Sequence, residues 1–273
     1  MRDNKSFSLI GPGKLGTNMI FNLVSKGWDC RCIIAREPSN LRESLLKYKI
    51  KKEIGKEEDL GANVFIAVRD DAINEVAMNL SESGINFKDI NFFHFSGALT
   101  SDVLSPIKKK DGFIASLHPL YSFSDNPAPL PEGILLTFEG DNECYDSAVQ
   151  ISEDIKAVLE IIDKTNKPLY HFASVLGVNM SMTLLYTASK LISKSLNDNR
   201  EGHKESLIVL LRSAIRNIEN AAWKDGLTGP VSRGDMRTIG EHIKALEAAG
   251  ETELMEIYRM LRELTVKMID GSK

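Results

Sequence analysis

The chain has 273 residues, of which 42% are hydrophobic and 26% are charged, and its formal net charge is −4 at pH 7. This length is sufficient for two domains, and the composition argues against collagen-like, disordered and membrane-embedded proteins. The slightly acidic balance gives no general basis for binding nucleic acid or an anionic membrane.

A short apolar run that ends at Ile10 leads directly into a G-x-G-x-x-G fingerprint, and a helix predicted over 15–26 follows it. In such a fingerprint the first glycine turns the chain, the second leaves room for a pyrophosphate, and the third lets the helix pack against the sheet. The N-terminus of the helix then favours an anion. The predicted cofactor-binding residues of this turn are Gly11, Pro12, Gly13, Lys14, Leu15 and Gly16.

The end of the second predicted strand, Cys30 to Ala35, indicates which dinucleotide is preferred. An NAD-specific site would place an acidic residue there for the ribose 2′-hydroxyl group, whereas this chain has Arg36. Because a guanidinium suits a 2′-phosphate, the sequence predicts NADP(H) as the cofactor. In the alternative, Arg36 is only a solvated charge and Glu37 makes an NAD contact.

Short apolar runs recur between polar stretches up to about residue 139, and they predict strands over 63–68, 90–95, 112–117 and 133–138. Strands and helices that alternate in this way predict a doubly wound parallel sheet of the α/β class. Val68 ends the strand over 63–68 and Ser96 follows the strand over 90–95, and we expect both to contact the cofactor. The charged run Lys47 to Asp59 is interpreted as a solvated surface segment.

The strand pattern stops at about Asp163, and the rest of the chain has helical periodicity over 168–195, 202–223, 235–249 and 251–269. The sequence therefore predicts a Rossmann domain at residues 1–163, followed by an all-helical domain at residues 164–273 that binds substrate and forms a dimer.

The first helix of the second domain carries the candidate catalytic residues Lys167, His171 and Asn179. Pro168 suits the first helical position, which would place Lys167 at the cap and the other two residues along the same face. A lysine or an imidazole can donate a proton to an alkoxide, and an amide can hold a carbonyl group. In the alternative, His171 is a partly buried histidine with structural contacts only.

Four further residues are candidates for substrate binding. Ser96 and His118 each lie where a strand is predicted to end, although His118 could equally stabilise the loop that begins at Pro119. Arg233 could bind a substrate carboxylate through a bidentate pair, and Asp235 either joins it or only caps the next helix.

The three cysteines, Cys30, Cys32 and Cys144, are interpreted as packing residues, so no disulfide framework and no metal site is predicted. We find no apolar stretch of membrane-spanning length and no signal-peptide pattern, and we therefore expect a cytoplasmic protein.

Several motifs together resemble a group of bacterial proteins that join a Rossmann-like domain to a C-terminal helical domain of unknown function. The motifs are Gly11-Pro12-Gly13-Lys14-Leu15-Gly16, His94-Phe95-Ser96-Gly97, Ser116-Leu117-His118-Pro119, Lys167 with Tyr170-His171, and Thr228-Gly229-Pro230 with Arg233-Gly234-Asp235. More distantly, the chain is similar to ketopantoate reductase, pyrroline-5-carboxylate reductase and the β-hydroxyacid dehydrogenases. In the last group a Lys-x-x-x-Asn pair does the chemistry, whereas the same spacing here gives Lys167 and His171.

These observations predict an NADP(H)-dependent reductase that transfers hydride to a small carbonyl substrate, and the resemblance suggests a 2-oxo acid of ketopantoate type. Lys167 or His171 would supply the proton, Arg233 would hold the carboxylate, and the helical domain would form a homodimer. Two alternatives remain: an imine-reducing or deazaflavin-linked NADP oxidoreductase, and a sensor that binds NADP(H) without turnover.

Overall fold

The computed structural model of the chain describes residues 3–197 and 203–271. Its centre is an eight-stranded sheet with the order β3-β2-β1-β4-β5-β6-β7-β8, in which only the β6–β7 pair is antiparallel. The strands are β1 (Ser6–Ile10), β2 (Asp29–Ile34), β3 (Ile50–Lys51), β4 (Asn63–Ile66), β5 (Asn91–His94), β6 (Phe113–Pro119), β7 (Leu135–Gly140) and β8 (Val158–Ile161).

The central strands are buried on both faces because helices cover the sheet on each side, as in other parallel sheets. β1 and β4 are buried along their whole length. Phe7 and Phe65 pack with ring centroids 5.3 Å apart, and Phe65 and Phe93 with centroids 5.8 Å apart. This aromatic row packs across β1, β4 and β5, whose carboxyl ends carry the residues discussed below.

The sheet belongs to the first of two compact units, which spans Met1–Val178. Its helices are α1 (Lys14–Val24), α2 (Asp70–Ser81), α3 (Ser105–Lys108), α4 (Tyr145–Asp154) and α5 (Lys167–Val175). Helix α1 buries Met19, Ile20 and Leu23 in the same core as Phe7. The predicted α/β class with a Rossmann-type sheet is confirmed.

The interpretation of the run Lys47 to Asp59 as a purely solvated segment is wrong. The run contains the short strand β3, and Asp59 is fully buried. Lys49 and Lys51 form ion pairs with Asp59 at 2.6 and 2.5 Å. Burial opposes ionisation of Asp59, but the hydrogen bonds from both lysines outweigh it and lower the pKa of the carboxyl group to about 2. The sequence did not predict this strand because its lysines give a charged pattern, which is typical of a surface segment. Their partner, Asp59, is buried, and the pattern does not reveal that.

The second unit spans Asn179–Lys273 and is helical over its described residues. Its helices are α6 (Ser181–Ser195), α7 (Lys204–Glu219), α8 (Trp223–Gly226), α9 (Met236–Ala248) and α10 (Thr252–Asp270). Gly202, the predicted start of the second of these helices, lies outside the described residues. The last strand ends at Ile161, near residue 163, where the sequence predicts the change from strands to helices. The compact sheet unit extends further, to Val178. It includes α5, which Lys167 joins to the sheet.

The helix predicted over 168–195 is interrupted by one π-helical segment, Leu176–Met180. Asn179 lies within this segment, where the wider turn changes the angular positions of the residues that follow α5. The common face predicted for Lys167, His171 and Asn179 stays a prediction. The whole run Lys164–Ser195 is long and apolar enough, by length and composition, to cross a membrane. The expectation that no stretch reaches that length is therefore wrong. A single helix of this kind is weak evidence for a membrane protein, and Lys167 near its start is buried in the sheet unit.

The three cysteines are free thiols, with Cys32 and Cys144 buried and Cys30 half-buried. Burial raises the pKa of the Cys30 thiol to about 12, and it raises that of Cys144 as well. Both groups are therefore neutral packing residues at physiological pH.

Candidate functional site

The three glycines of the N-terminal turn have different surroundings, and the fold itself requires glycine at two of them. Gly11 has a φ angle of +88°, and a Cβ atom there would lie 2.6 Å from Cγ1 of Val68. A Cβ atom on Gly16 would lie 2.6 Å from the carbonyl oxygen of Gly11, so α1 crosses the turn in close contact. At Gly13 a Cβ atom would meet nothing within 4 Å. The turn is thus tight on the protein side and open on the side that a pyrophosphate would approach.

The first turn of α1 faces this open side. Gly13 is the N-cap residue in extended conformation, and no side chain caps the helix. The strand order reverses between β1 and β4, and ligands of doubly wound sheets bind at the carboxyl ends of the strands at such a switch point. Arg36 lies just beyond the end of β2 and is exposed. The predicted dinucleotide residues therefore share one edge of the sheet.

Ser96 links the end of β5 to the start of α2. Its hydroxyl group donates to Oδ2 of Asp70 at 2.7 Å and accepts from the backbone N–H groups of Ala98 and Leu99 at 3.2 and 3.0 Å. These contacts hold the Ser96–Gly97 turn in a fixed shape. Val68, two residues beyond the end of β4, is half-buried.

His94 stabilises the same turn from inside the protein. Its Nδ1 atom accepts from the backbone N–H of Ser96 at 3.1 Å, and its Nε2 atom lies 3.2 Å from the carbonyl oxygen of Thr100. Burial, with a smaller contribution from the Lys167 charge, lowers the pKa of His94 to about 3. His94 is therefore a neutral structural residue with both ring nitrogens occupied.

His118 and Tyr170 form a hydrogen-bonded pair at the partly exposed end of β6. Nδ1 of His118 lies 2.9 Å from the Tyr170 hydroxyl oxygen. The imidazole ring also covers Gly97, where a Cβ atom would lie 2.8 Å from Nε2. Burial lowers the pKa of His118 to about 4 and raises the pKa of Tyr170. Both side chains are thus neutral at pH 7 and can donate or relay a proton.

Lys167 lies behind this pair and is only 1% exposed. Its Nζ atom donates to Oγ of Ser116 at 2.6 Å and to the carbonyl oxygen of Ser96 at 3.3 Å, and it lies 3.6 Å from Oε1 of Glu139. Burial lowers the pKa of Lys167, while the Glu139 carboxylate opposes that shift. Lys167 therefore ties the first turn of α5 to β6, to β7 and to the turn that follows β5. It is the first residue of the helix, one position later than the predicted cap.

Glu139 is a member of this cluster that the sequence did not indicate. Its carboxylate accepts from the backbone N–H and the hydroxyl group of Ser101 at 2.6 and 2.8 Å, and it is 4% exposed. A buried carboxylate needs such partners. The available signal was a glutamate at the end of an otherwise apolar strand, and it does not reveal its partner, Lys167.

The other predicted residues are not brought into this cluster by contacts within the sheet unit. His171 is half-buried, and its charge contributes to the low pKa of His118. Asn179, Arg233 and Asp235 belong to the second unit. Asp235 caps α9 by accepting from the backbone N–H of Thr238 at 3.1 Å, which is one of its two predicted roles.

Comparisons with known proteins agree with this architecture. Residues 134–265 match the model of a domain of unknown function, DUF2520. No curated protein sequence matches the chain. Among solved structures, the chain is similar to a candidate NADP oxidoreductase from Bacteroides fragilis (TM-score 0.75, 19% identity, 96% of this chain and 99% of that one). A Thermotoga maritima protein gives a TM-score of 0.73 at 25% identity over 97% and 98% of the two chains.

A more distant similarity is to pyrroline carboxylate reductase from Plasmodium falciparum with NADP bound, at a TM-score of 0.58 and 12% identity over 98% and 100% of the two chains. The chain thus has the Rossmann-like fold with a helical C-terminal part.

Proposed function

We propose that this protein is an NADP(H)-dependent oxidoreductase that reduces a small carbonyl or imine compound. The observation that carries the proposal is the N-terminal turn, which is closed by Gly11 and Gly16 but open at Gly13, at the switch point of the sheet. Structural relatives named as NADP oxidoreductase and as pyrroline carboxylate reductase with NADP support the same cofactor.

The residues present fit a dinucleotide phosphate. The backbone of the Gly11–Gly16 turn and the uncapped first turn of α1 would hold the pyrophosphate, and Arg36 would bind the 2′-phosphate. Val68 and the Ser96–Gly97 turn would line the nicotinamide end. When bound, the cofactor supplies the hydride.

In our proposal the pair of His118 and Tyr170 supplies the proton that accompanies the hydride. Reduction of a C=O or C=N bond at carbon would leave its electron pair on oxygen or nitrogen, and that atom would take the proton from the pair. A neutral imidazole that hydrogen-bonds to a phenol can donate from its second ring nitrogen without first being charged. This assignment replaces a lysine donor with one that is less deeply buried.

Lys167 then acts as a positioning residue rather than as the donor. Its ammonium group is held by Ser116, the Ser96 carbonyl and Glu139, so its proton is directed at protein acceptors. Its charge also keeps His118 neutral, since it contributes to the low pKa of that side chain. His171, on the same helix, is proposed to support the pair in the same way.

For the substrate, a 2-oxo acid of ketopantoate type is the first compound to test, with Arg233 as the candidate for its carboxylate. The experiment is to titrate the protein with NADPH and NADH and then to follow NADPH oxidation with 2-oxo acids, cyclic imines, and ketones mixed with amines. Turnover with one class assigns the substrate. Tight NADPH binding without turnover in any class, including a deazaflavin acceptor, would favour a sensor instead.

We also propose a cytoplasmic homodimer formed through the helical unit. Four of its described residues are buried, namely Ser189, Leu207, Gly226 and Ile239. Helix α10 meanwhile exposes an apolar stripe at helical spacing, made of Ile257, Met260, Leu261, Leu264 and Met268. Because so few residues of the helical unit are buried, its exposed apolar stripe needs a partner surface. A second copy of the chain offers the same stripe. Light scattering of the parent and of Leu264→Glu would test this, with a monomeric variant as the expected result.

A further inference from the structure

A carboxylate from the β6–β7 connection lies at the first turn of α1. Asp125 accepts from Nη2 of Arg42 at 2.8 Å, and its other oxygen lies 3.1 Å from Nζ of Lys14. Lys14 is the first residue of α1, and Arg42 follows the short helical turn after β2. Two cations, one in the first turn of α1 and one in the connection after β2, therefore share one carboxylate.

The position of this loop is fixed by two asparagines one turn apart on α1. Asn18 donates to the carbonyl oxygen of Ser124 at 3.1 Å and accepts from the N–H of Ala128 at 3.3 Å. Asn22 donates to the carbonyl oxygen of Ala128 at 3.0 Å and accepts from the N–H of Leu130 at 2.9 Å. Both asparagine side chains are buried. These hydrogen bonds hold the backbone of the loop against α1.

This arrangement has a chemical consequence for a phosphate that approaches α1. Carboxylate and phosphate oxygens are interchangeable partners for a guanidinium and an ammonium group. Lys14 and Arg42 can reach one anion together, and that anion need not be Asp125. We propose that Lys14 and Arg42 form a phosphate subsite of the bound dinucleotide and that Asp125 competes with the phosphate for both cations. This inference rests on the proposed NADP(H) function and adds Arg42 and Asp125 to it.

The test compares Asp125→Asn with a matched control, Asp29→Asn. Asp29 also forms an exposed ion pair with an arginine of this unit, at 2.7 Å from Nε of Arg31 on β2. Both variants lose one surface charge, but only the first frees Lys14 and Arg42. By fluorescence titration at low ionic strength, we expect Asp125→Asn to lower the Kd for NADPH about two- to fivefold relative to Asp29→Asn, which is the range of an exposed ion pair. The difference should shrink at high salt.

A double variant shows whether the gain passes through Arg42. Arg42→Ala alone should raise the Kd for NADPH, and adding Asp125→Asn to it should give a smaller gain than the same change gives in the parent. Thermal unfolding of each variant checks that the loop remains folded. A gain with NADPH alone assigns the subsite to the 2′-phosphate, and a gain with both NADPH and NADH assigns it to the pyrophosphate.

The results that overturn the inference are distinct from those that overturn the function. If the parent binds NADPH and Asp125→Asn binds it no more tightly than Asp29→Asn does, Asp125 is not a competitor and the subsite is rejected. If the gain is unchanged in the Arg42→Ala background, Arg42 is not part of the subsite. If the parent binds neither dinucleotide, the proposed function fails and the inference fails with it.

Discussion

Nδ1 of His118 lies 2.9 Å from the hydroxyl oxygen of Tyr170, and the two rings meet edge to face with centroids 5.5 Å apart. The contact joins the end of β6 to the first turn of α5. Because the pKa of His118 is lowered to about 4 by burial, the imidazole is neutral at pH 7 and pairs with the phenol as a neutral partner. The pair is the part of the site on which the proposed chemistry depends.

Tyr170→Phe removes the hydroxyl group and keeps the ring. If the pair delivers the proton, we expect turnover on an identified substrate to fall on the order of 10² to 10⁴-fold, while the Kd for NADPH is unchanged. A matched control is Tyr258→Phe, because the Tyr258 hydroxyl lies 3.1 Å from Nδ1 of His242 in the helical unit. Full activity of Tyr170→Phe would remove the tyrosine from the mechanism.

Lys167→Met tests whether the lysine holds the structure or supplies the proton. Removing one partner of a buried ion pair should cost roughly 3–5 kcal/mol of unfolding free energy, because Glu139 is left with an uncompensated charge. Urea unfolding measures the loss, and adding Glu139→Gln should restore part of it.

The control for this prediction is Lys156→Met, since Lys156 is exposed and pairs with the exposed Glu132 in the same unit. We expect that variant to lose less than about 1 kcal/mol. A Lys167→Met protein that keeps its stability would show that this ion pair does not hold the structure and would return Lys167 to the candidates for the proton donor.

Gly13→Val and Gly16→Ala should separate cofactor binding from folding. The side chain at Gly13 would enter open space, so we expect normal stability and loss of NADPH binding. A Cβ atom on Gly16 would lie 2.6 Å from a backbone oxygen, and overpacking of this kind costs about 1–3 kcal/mol. Thermal unfolding and calorimetric titration of both variants give the comparison. Normal NADPH affinity of Gly13→Val would show that the turn is not a phosphate site.

Arg36→Ala tests the preference for the phosphorylated cofactor. Loss of a charge-assisted contact should weaken NADPH binding by roughly 1.5 to 3 kcal/mol and leave NADH binding nearly unchanged. Arg31→Ala, which removes an exposed arginine from β2, serves as the control. Equal losses for the two dinucleotides would contradict a role in 2′-phosphate recognition and would return attention to Glu37.

Acid should destabilise the sheet unit through His94. Because its pKa is lowered from 6.5 to about 3 in the folded protein, the unfolded chain takes up a proton first as the pH falls. Stability is therefore complete above about pH 6.5 and is lost progressively toward pH 3. At about 1.4 kcal/mol per pKa unit, the loss from this residue between pH 7 and pH 4 is about 3 kcal/mol.

Urea unfolding at pH 7 and pH 4 measures this effect. His94→Gln should be less stable at pH 7 but should lose less stability on acidification, because an amide does not titrate in this range. Should the variant and the parent show the same dependence on pH, His94 is not the group responsible.

The local features of the chain could be derived from the sequence because their physical causes are local. A positive φ angle and a close helix crossing require Gly11 and Gly16, and an aspartate before a helix accepts from its free N–H groups, as Asp235 does. The alternation of strands and helices likewise follows from side-chain periodicity within short segments. These features were sufficient to establish the α/β class and to place the dinucleotide turn.

The cluster behind the turn was decided only by tertiary structure. Lys167 meets Glu139 and Ser116, and His118 meets Tyr170, only because strand register and helix packing bring remote segments together. The π-helical segment at Leu176–Met180, which contains Asn179, likewise interrupts a helix that side-chain periodicity predicts to be continuous. Periodicity reports which way a side chain points from its own element, whereas the partner, the burial and therefore the pKa depend on contacts across the fold.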